Sequence, residues 1–204
     1  HLSCLDLMVD NIQRKKKDKV INTWYLDNKK NDFYGLSFKG SDSCDTLIIG
    51  GGIAGLSLKH MLDANKISSI LVEQKTIASG ASGMNGGFCS SGWALDQRKI
   101  EKKLGLKKSK EFYEISLSGL NWMKSICNQY CPSISQFKEG ILGVHFSKNI
   151  DNLQFSNNKF NEDYGANNIF LKKEDLSKKI NSPIYSSGIL DTKAFHFNPF
   201  NIML

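Results

Sequence analysis

The sequence predicts an α/β fold that opens on a parallel βαβ unit and continues into an α+β region. Three observations predict it. Thr46 to Ile49 is a short apolar run rich in β-formers, which suits a strand buried on both faces. Gly50, Gly52 and Gly55 follow in G-x-G-x-x-G spacing and open a helix expected over 53–64. After a polar break at Asp63-Ala64-Asn65-Lys66, Ile67 to Val72 forms a second strand that ends in Glu73. Strand, glycine turn, helix and acid-tipped strand in that order describe a Rossmann-like dinucleotide unit.

Each residue type in the turn has a physical reason. Gly50 allows the tight exit from the strand, Gly52 lets backbone approach a pyrophosphate, and Gly55 lets the helix pack closely on the sheet. Gly51, Ile53 and Ala54 complete the turn and the first helical residues. Their N–H groups lack intrahelical partners, and the helix dipole places partial positive charge there, so an anionic pyrophosphate satisfies both. Glu73, with Gln74 beside it, stands 23 residues after Gly50 and is placed to accept hydrogen bonds from an adenosine ribose. A carboxylate there repels a 2′-phosphate, which disfavours NADP. The competing reading is a glycine-rich βαβ turn that binds nothing.

The composition describes an ordinary soluble protein: 204 residues, 40% hydrophobic and 23% charged. No window approaches the ~18 consecutive apolar residues of a membrane span, and no signal peptide is evident. The five cysteines, Cys4, Cys44, Cys89, Cys127 and Cys131, are odd in number and irregularly spaced. That suits free thiols in a reducing cytosol, and the expected location is cytoplasmic. Cys127 and Cys131 share a helical spacing, but nothing completes a zinc site, so no metal is expected. The net charge of +7 comes mostly from scattered lysine. A solvated surface explains it better than nucleic-acid binding, because no aromatic platform accompanies the basic runs. The sequence does not begin with Met, and Met8 is a candidate start; both ends read as cut, so the chain is taken as an N-terminal fragment.

Taken in order, residues 1–40 form a polar N-terminal arm in which Trp24, Tyr25, Phe33 and Tyr34 are placed to lie extended across the next domain. Residues 41–95 are the first segment of the dinucleotide domain. They include a glycine- and serine-rich loop, Ser79 to Gly87, whose small residues suit close contact with a ligand. Residues 96–190 begin a second, α+β domain. Its long helix, 99–130, is expected to start at Ser109 as a cap or earlier, with Phe112, Ile115, Gly119, Trp122, Met123, Ile126 and Tyr130 on its packed face and Gly119 at a close contact. Cys131-Pro132 ends it. Then follow a strand over 139–147 containing a structural His145, and a helix over 149–164 with Ile150, Leu153, Asn157, Phe160 and Tyr164 inward and Gly165 as stop. A strand at 169–171, a short helix at 173–180 and a strand at 184–190 come next. Residues 191–204 return toward the dinucleotide domain.

With these elements in place, the sequence resembles the FAD-dependent oxidoreductases of the D-amino-acid-oxidase-like family. The resemblance rests on Gly50-Gly51-Gly52-Ile53-Ala54-Gly55, on Glu73, and on Gly80-Ala81-Ser82-Gly83-Met84-Asn85-Gly86-Gly87. The second segment is similar to the G-A-S-G-R-N-G-G of the gamma-glutamylputrescine oxidoreductase group. Softer matches are Gly188-Ile189-Leu190-Asp191, like G-x-L-D, and His196 to Asn201, like H-x-H-P-L-N. Two positions depart from the pattern: Met84 stands where the family has Arg, and Asn198 where it has a second His.

The resemblance implies a Rossmann-like FAD-binding domain, discontinuous in sequence, plus the start of an α+β substrate domain. It implies non-covalent FAD, with the glycine turn at the pyrophosphate, Glu73 at the ribose, and Gly80, Ala81, Ser82, Asn85, Gly86 and Gly87 along the ribityl chain and ring. The implied reaction is oxidation of a small-molecule amine or amino acid by hydride transfer from its α-carbon to the flavin, giving an imine that hydrolyses. The resemblance names no catalytic acid or base; His196 is the candidate on the substrate side, and Cys89 is read as a packed thiol. The rival functions are an NAD-dependent dehydrogenase and a non-catalytic dinucleotide-binding fragment.

Overall fold

The computed structural model describes residues 23–27, 38, 40–129 and 132–204. Phe33, Tyr34, Tyr130 and Cys131, which figure in the sequence expectations, lie outside them.

The expected βαβ unit is formed. Strand β1 (Thr46–Ile49) leads through the glycine turn into a helix at Ile53–Ala64, and the chain returns as β2 (Ser69–Val72). A short helix at Trp24–Asp27 precedes them, so the helices are α1 (Trp24–Asp27) and α2 (Ile53–Ala64). The strands pair in parallel, Thr46 with Ser69 through Ile49 with Val72. The second strand starts two residues later than expected, because Lys66 takes positive φ and Ile67 donates its N–H back to Leu62. A correction concerns burial. Ile48 is buried under α2, but Leu47 and Ile49, on the opposite face, are 47% and 64% exposed. The apolar run therefore marks a strand covered on one face among the described residues, where the sequence suggested two.

The rest of the chain builds an antiparallel sheet around one long strand. Its elements are β3 (Phe88–Cys89), α3 (Gln97–Gln129), β4 (Lys138–His145), α4 (Ile150–Tyr164), β5 (Ile169–Lys172), α5 (Lys173–Ser177) and β6 (Ser187–His196). A 3-10 turn at Asn201–Met203 follows. β6 is the centre: β4 runs along one edge, while β5 and then β3 pair with its other edge. A bulge at Gly140, which has a φ of 83°, shifts the β4 register. β6 is longer than the strand expected at 184–190 and runs unbroken into His196.

α3 corrects the sequence reading in three ways. It is broken at Gly105, whose φ and ψ of 78° and 160° are not helical. Ser109 is not a cap but a buried residue inside the second half, accepting from the Gln97 side chain of the first half at 2.8 Å. In its second half Met123 is buried as expected, but Tyr113, Leu120 and Cys127 are buried in place of the expected Phe112, Gly119 and Ile126, each one residue round. Phe112 and Ile115 are exposed, and Gly119 faces open space. Periodicity located the helix, but at 3.6 residues per turn a one-residue offset rotates the chosen face by ~100°.

α4 follows its expected pattern. Asn149 caps it by accepting from the Asn152 N–H, and Gly165 ends it in the left-handed conformation. Its inner residues Asn157 and Tyr164 are buried, and Tyr113, Tyr164 and Ala166 form a small core with Phe160. Polar bonds tie α3 to α4. The Gln97 amide donates to Ser109 Oγ, the Ser109 and Tyr164 hydroxyls lie 2.8 Å apart, and Tyr164 donates to Glu101. Arg98 bridges Glu101 and Asp163, 2.7 Å from each.

Candidate functional site

The glycine turn, the tip of β2 and the 77–87 loop meet at one place. Gly50 has a φ of 110°, a left-handed conformation that turns the chain out of β1, and its N–H donates to Val72 O at 2.8 Å. A Cβ on Gly55 would strike the carbonyl oxygen of Gly50, so glycine there lets α2 approach the turn. Gly52 serves a closer neighbour: a Cβ on it would lie 2.9 Å from Ser82 Oγ.

Ser82 explains how α2 begins. Its N-cap is Gly52, which has no side chain to offer. Ser82 supplies the missing acceptor from 29 residues away, its Oγ receiving the Ile53 N–H at 3.0 Å. Ala78 adds a second tie, donating its N–H to Gly51 O at 3.0 Å while buried at a φ of 62°. The loop is therefore an ordered shelf against the turn rather than a linker. Asn85 holds its end: its amide donates to Ala81 O and Ser82 O, and its oxygen accepts from Gly87 N at 2.7 Å. Gly80 faces open space, and Gly86 lies against the Phe88 ring. Met84 is exposed.

Glu73 reaches back across this site. One carboxylate oxygen accepts from Gly51 N at 2.7 Å and the other from Lys75 N at 2.9 Å. The Gly51 bond first, then the Lys75 bond, hold its pKa below the ordinary carboxylate range. A carboxylate has about four acceptor positions, so each oxygen keeps one for a hydroxyl. Gln74, just past β2, and Ala54, in the first turn of α2, are both exposed. The Gly52 N–H has no acceptor among the described residues. Open amides at a helix N-terminus beside a carboxylate can hold an anionic diphosphate with a hydroxylated sugar next to it.

His196 closes the far end. It is the last residue of β6 and pairs with Phe88 of β3. Its Nε2 lies 3.2 Å from the hydroxyl of Tyr25, and the Phe88 ring stands edge-on to it with centroids 5.5 Å apart. A Cβ on Gly87 would come within 2.9 Å of His196 Nε2 and 2.6 Å of the Tyr25 hydroxyl, so glycine admits this pair beside the loop. Tyr25 was missed as a site residue. The segment was expected to lie extended, but it forms a helical turn and buries Tyr25 among Ala78, Phe200 and Met203. No spacing in the sequence links positions 25 and 196. Cys89 is half-buried, and burial pushes its thiol up to about 11, so it is protonated at neutral pH. Among the described residues no three His, Cys, Asp or Glu side chains gather as a metal needs, and no helix is long and apolar enough to cross a membrane.

Known proteins resemble the chain in sequence and in fold. The chain is 24% identical over 186 residues to the probable oxidoreductase OrdL of Haemophilus influenzae, covering 90% of this chain and 43% of that protein. It is 24% identical over 165 residues to gamma-glutamylputrescine oxidoreductase of Escherichia coli, covering 80% and 38%. The chain thus spans about two-fifths of the length of these curated relatives. Among solved structures it resembles L-amino acid deaminase of Proteus myxofaciens, with a TM-score of 0.64 at 16% identity, over 86% of this chain and 38% of that one. It also resembles glycine oxidase of Bacillus cereus, with a TM-score of 0.57 at 19% identity, over 79% and 42%. These likenesses show the fold. The family model described as DAO, FAD dependent oxidoreductase, matches residues 45–204, and the chain belongs to that family.

Proposed function

We propose that this chain is the dinucleotide-binding part of an FAD-dependent oxidoreductase that acts on a small amine or amino acid. The observation that carries this reading is the docking of the 77–87 loop on the glycine turn, through Ser82 to Ile53 and Ala78 to Gly51. A nicotinamide enzyme needs the βαβ unit but not this second shelf, which extends the cradle toward His196.

The residues present fit FAD. The Gly52 amide at the start of α2 would hold the pyrophosphate, Glu73 would accept from the adenosine ribose, and the Ser82 to Gly87 backbone would line the path toward the ring. When bound, FAD supplies the two-electron acceptor for hydride leaving the substrate carbon. The chain's own residues hold and orient. Ser82 fixes the start of α2, Asn85 fixes the exit of the loop, and Tyr25 fixes the ring of His196, our candidate for the substrate side. Tyr25 and His196 share a proton between Oη and Nε2, so the tautomer of the imidazole sets which of them donates. The protonated thiol of Cys89 favours non-covalent binding. The free thiols Cys44 and Cys89 suit a reducing compartment, which supports a cytoplasmic enzyme.

The names of the relatives suggest the first substrates to try: gamma-glutamylputrescine, then glycine and other amino acids. The test is the absorbance spectrum of the purified chain, before and after heat release of any chromophore. A flavin spectrum that moves to the supernatant supports a non-covalent flavoprotein and justifies the amine screen. A folded, colourless chain that takes up no added FAD overturns the reading, and uptake of NADH in its place selects the nicotinamide alternative. Glu73→Lys is expected to weaken FAD binding strongly; unchanged affinity removes Glu73 from the ribose.

A further inference from the structure

His196 has two ring nitrogens, and their surroundings differ. Nε2 lies 3.2 Å from the Tyr25 hydroxyl. Nδ1 has no hydrogen-bond partner among the described residues, and the ring is half-buried rather than enclosed, so that nitrogen stays open to a ligand. Which of the two carries the proton decides what His196 can do there.

Two arguments put the proton on Nδ1. The first concerns Tyr25. It is buried, and its hydroxyl is tucked beside Gly87, where a Cβ would lie 2.6 Å from it. Among the described residues the hydroxyl bonds only to His196. If it accepted from Nε2–H, its own proton would be left unpartnered in a buried place, which is costly. Donating to a bare Nε2 removes that cost. The second concerns acid strength. A phenol is a better proton donor than a neutral imidazole N–H, and an imidazole nitrogen is a better acceptor than a phenol oxygen. Burial raises the Tyr25 pKa, so the phenol keeps its proton at neutral pH and has it to donate.

The open side of the ring therefore presents a donor, and its neighbours suit an anion. His196 stands opposite Phe88 of β3 and opposite Lys138 of β4. Directly opposed residues project from the same face, so the three form a row across β3, β6 and β4. The alternation agrees: Cys89 and Phe195, one step along, pack into the core with Phe137 on the other face. Lys138 is exposed and enters no ion pair among the described residues. An imidazole N–H beside an unpaired ammonium attracts a carboxylate and repels a cation.

We infer that Tyr25 locks His196 in its Nδ1–H form, so that His196, with Lys138 beside it, binds the carboxylate of an amino-acid substrate as a donor and does not act as the base that takes a proton from its amine. Tyr25 is then a positioning residue. That the carboxylate belongs to a substrate rests on the function proposed above; the tautomer does not.

The test is nitrogen-15 NMR of the full chain, in which the shifts of the two ring nitrogens tell the tautomers apart. His196→Gln identifies the His196 signals among the four histidines. At about pH 8.5, above the ordinary imidazole range, His196 should read as Nδ1–H. Tyr25→Phe keeps the buried ring and removes the donor, and it should move His196 toward the Nε2–H form that free histidine favours. An Nε2–H or doubly protonated ring in the parent chain, or an unchanged tautomer in folded Tyr25→Phe, overturns the lock. Should that variant fail to melt cooperatively, the parent signals still decide. Sodium propionate and propylammonium chloride are then titrated in turn. Propionate should shift the Nδ1 signal saturably, and propylammonium should not. Tyr25→Phe should weaken propionate binding in proportion to the Nδ1–H fraction lost. Lys138→Gln should weaken it about two- to fivefold, the size of an exposed charge pair. No response to propionate, or an equal response to propylammonium, overturns the carboxylate assignment, and unchanged affinity in Lys138→Gln removes Lys138 from it. All of these readings are made without FAD. A colourless chain therefore defeats the flavin reading alone, while a yellow chain with the wrong tautomer defeats this inference alone.

Discussion

The β1–α2–β2 unit and the β6-centred sheet are held together in different ways. In the first, α2 has no buried residue at all, and β1 buries Ile48 while leaving Leu47 and Ile49 in the open. Its coherence comes from close backbone approach at Gly55 and from bonds that reach it from elsewhere: Ser82 to Ile53, Ala78 to Gly51, Glu73 to Gly51. In the second, Phe195 is fully buried and packs with Leu120, Met123, Cys127 and Phe197. One region depends on geometry and polar contacts, the other on burial. The region that depends on polar contacts is the one whose surface must stay open to a ligand.

The largest effect should fall on the buried region. Phe195→Ala removes a large ring from a fully enclosed position, at a cost of about 3–5 kcal/mol. Denaturant unfolding followed by circular dichroism measures it. A loss under about 1 kcal/mol would mean that burial does not hold this sheet. Gly55→Ala comes next. It adds one carbon where the Gly50 carbonyl already sits, so α2 must move off the turn, at about 1–3 kcal/mol. Hydrogen exchange should show this loss in residues 46–72 and leave β6 protected. Equal loosening of both regions would erase the distinction drawn between them.

A smaller effect is expected at Ser82. Ser82→Ala removes the acceptor for the Ile53 N–H, a capping loss of about 0.5–2 kcal/mol. Ser82→Thr keeps the hydroxyl, and recovery of stability in that variant separates the cap from mere packing.

How much of this was legible in the sequence also differs between the regions. The glycine turn announces itself because its function demands glycine at fixed spacing, and the expected limits of α2, 53–64, are those observed. Asn149 and Gly165 likewise mark the ends of α4 through local chemistry. What was not legible depends on contacts between distant residues. Ser82 acting as the cap for α2, Tyr25 reaching His196, and Gln97 bridging the Gly105 break to Ser109 leave no periodic trace. The face of α3 was misjudged for the same reason. Phe112 and Ile115 have the apolar spacing, yet Tyr113 is buried, because the loop at Ser91 and the Tyr164 ring meet it there. The bare face of β1 belongs to this class too. An apolar run records that a strand suits burial, not what lies over it.

Glu73 gives the finest test, because its part in the turn depends on pH. Its pKa is held below the ordinary carboxylate value by the Gly51 and Lys75 N–H groups, so the ionised form is the one the fold prefers. The stabilisation is fully present above the unfolded pKa, ordinarily about 4.3, and is lost as pH falls through the lower folded value. Glu73→Gln keeps an acceptor but not the charge. At neutral pH it should be less stable than the parent chain by about 1 kcal/mol, the difference between a charged and a neutral acceptor. In acid below the folded value of Glu73 the two should converge, since the parent side chain is then also neutral. A gap that stays constant from neutral pH into strong acid would show that the carboxylate holds the turn by shape alone, and would remove charge from the list of what keeps this region together.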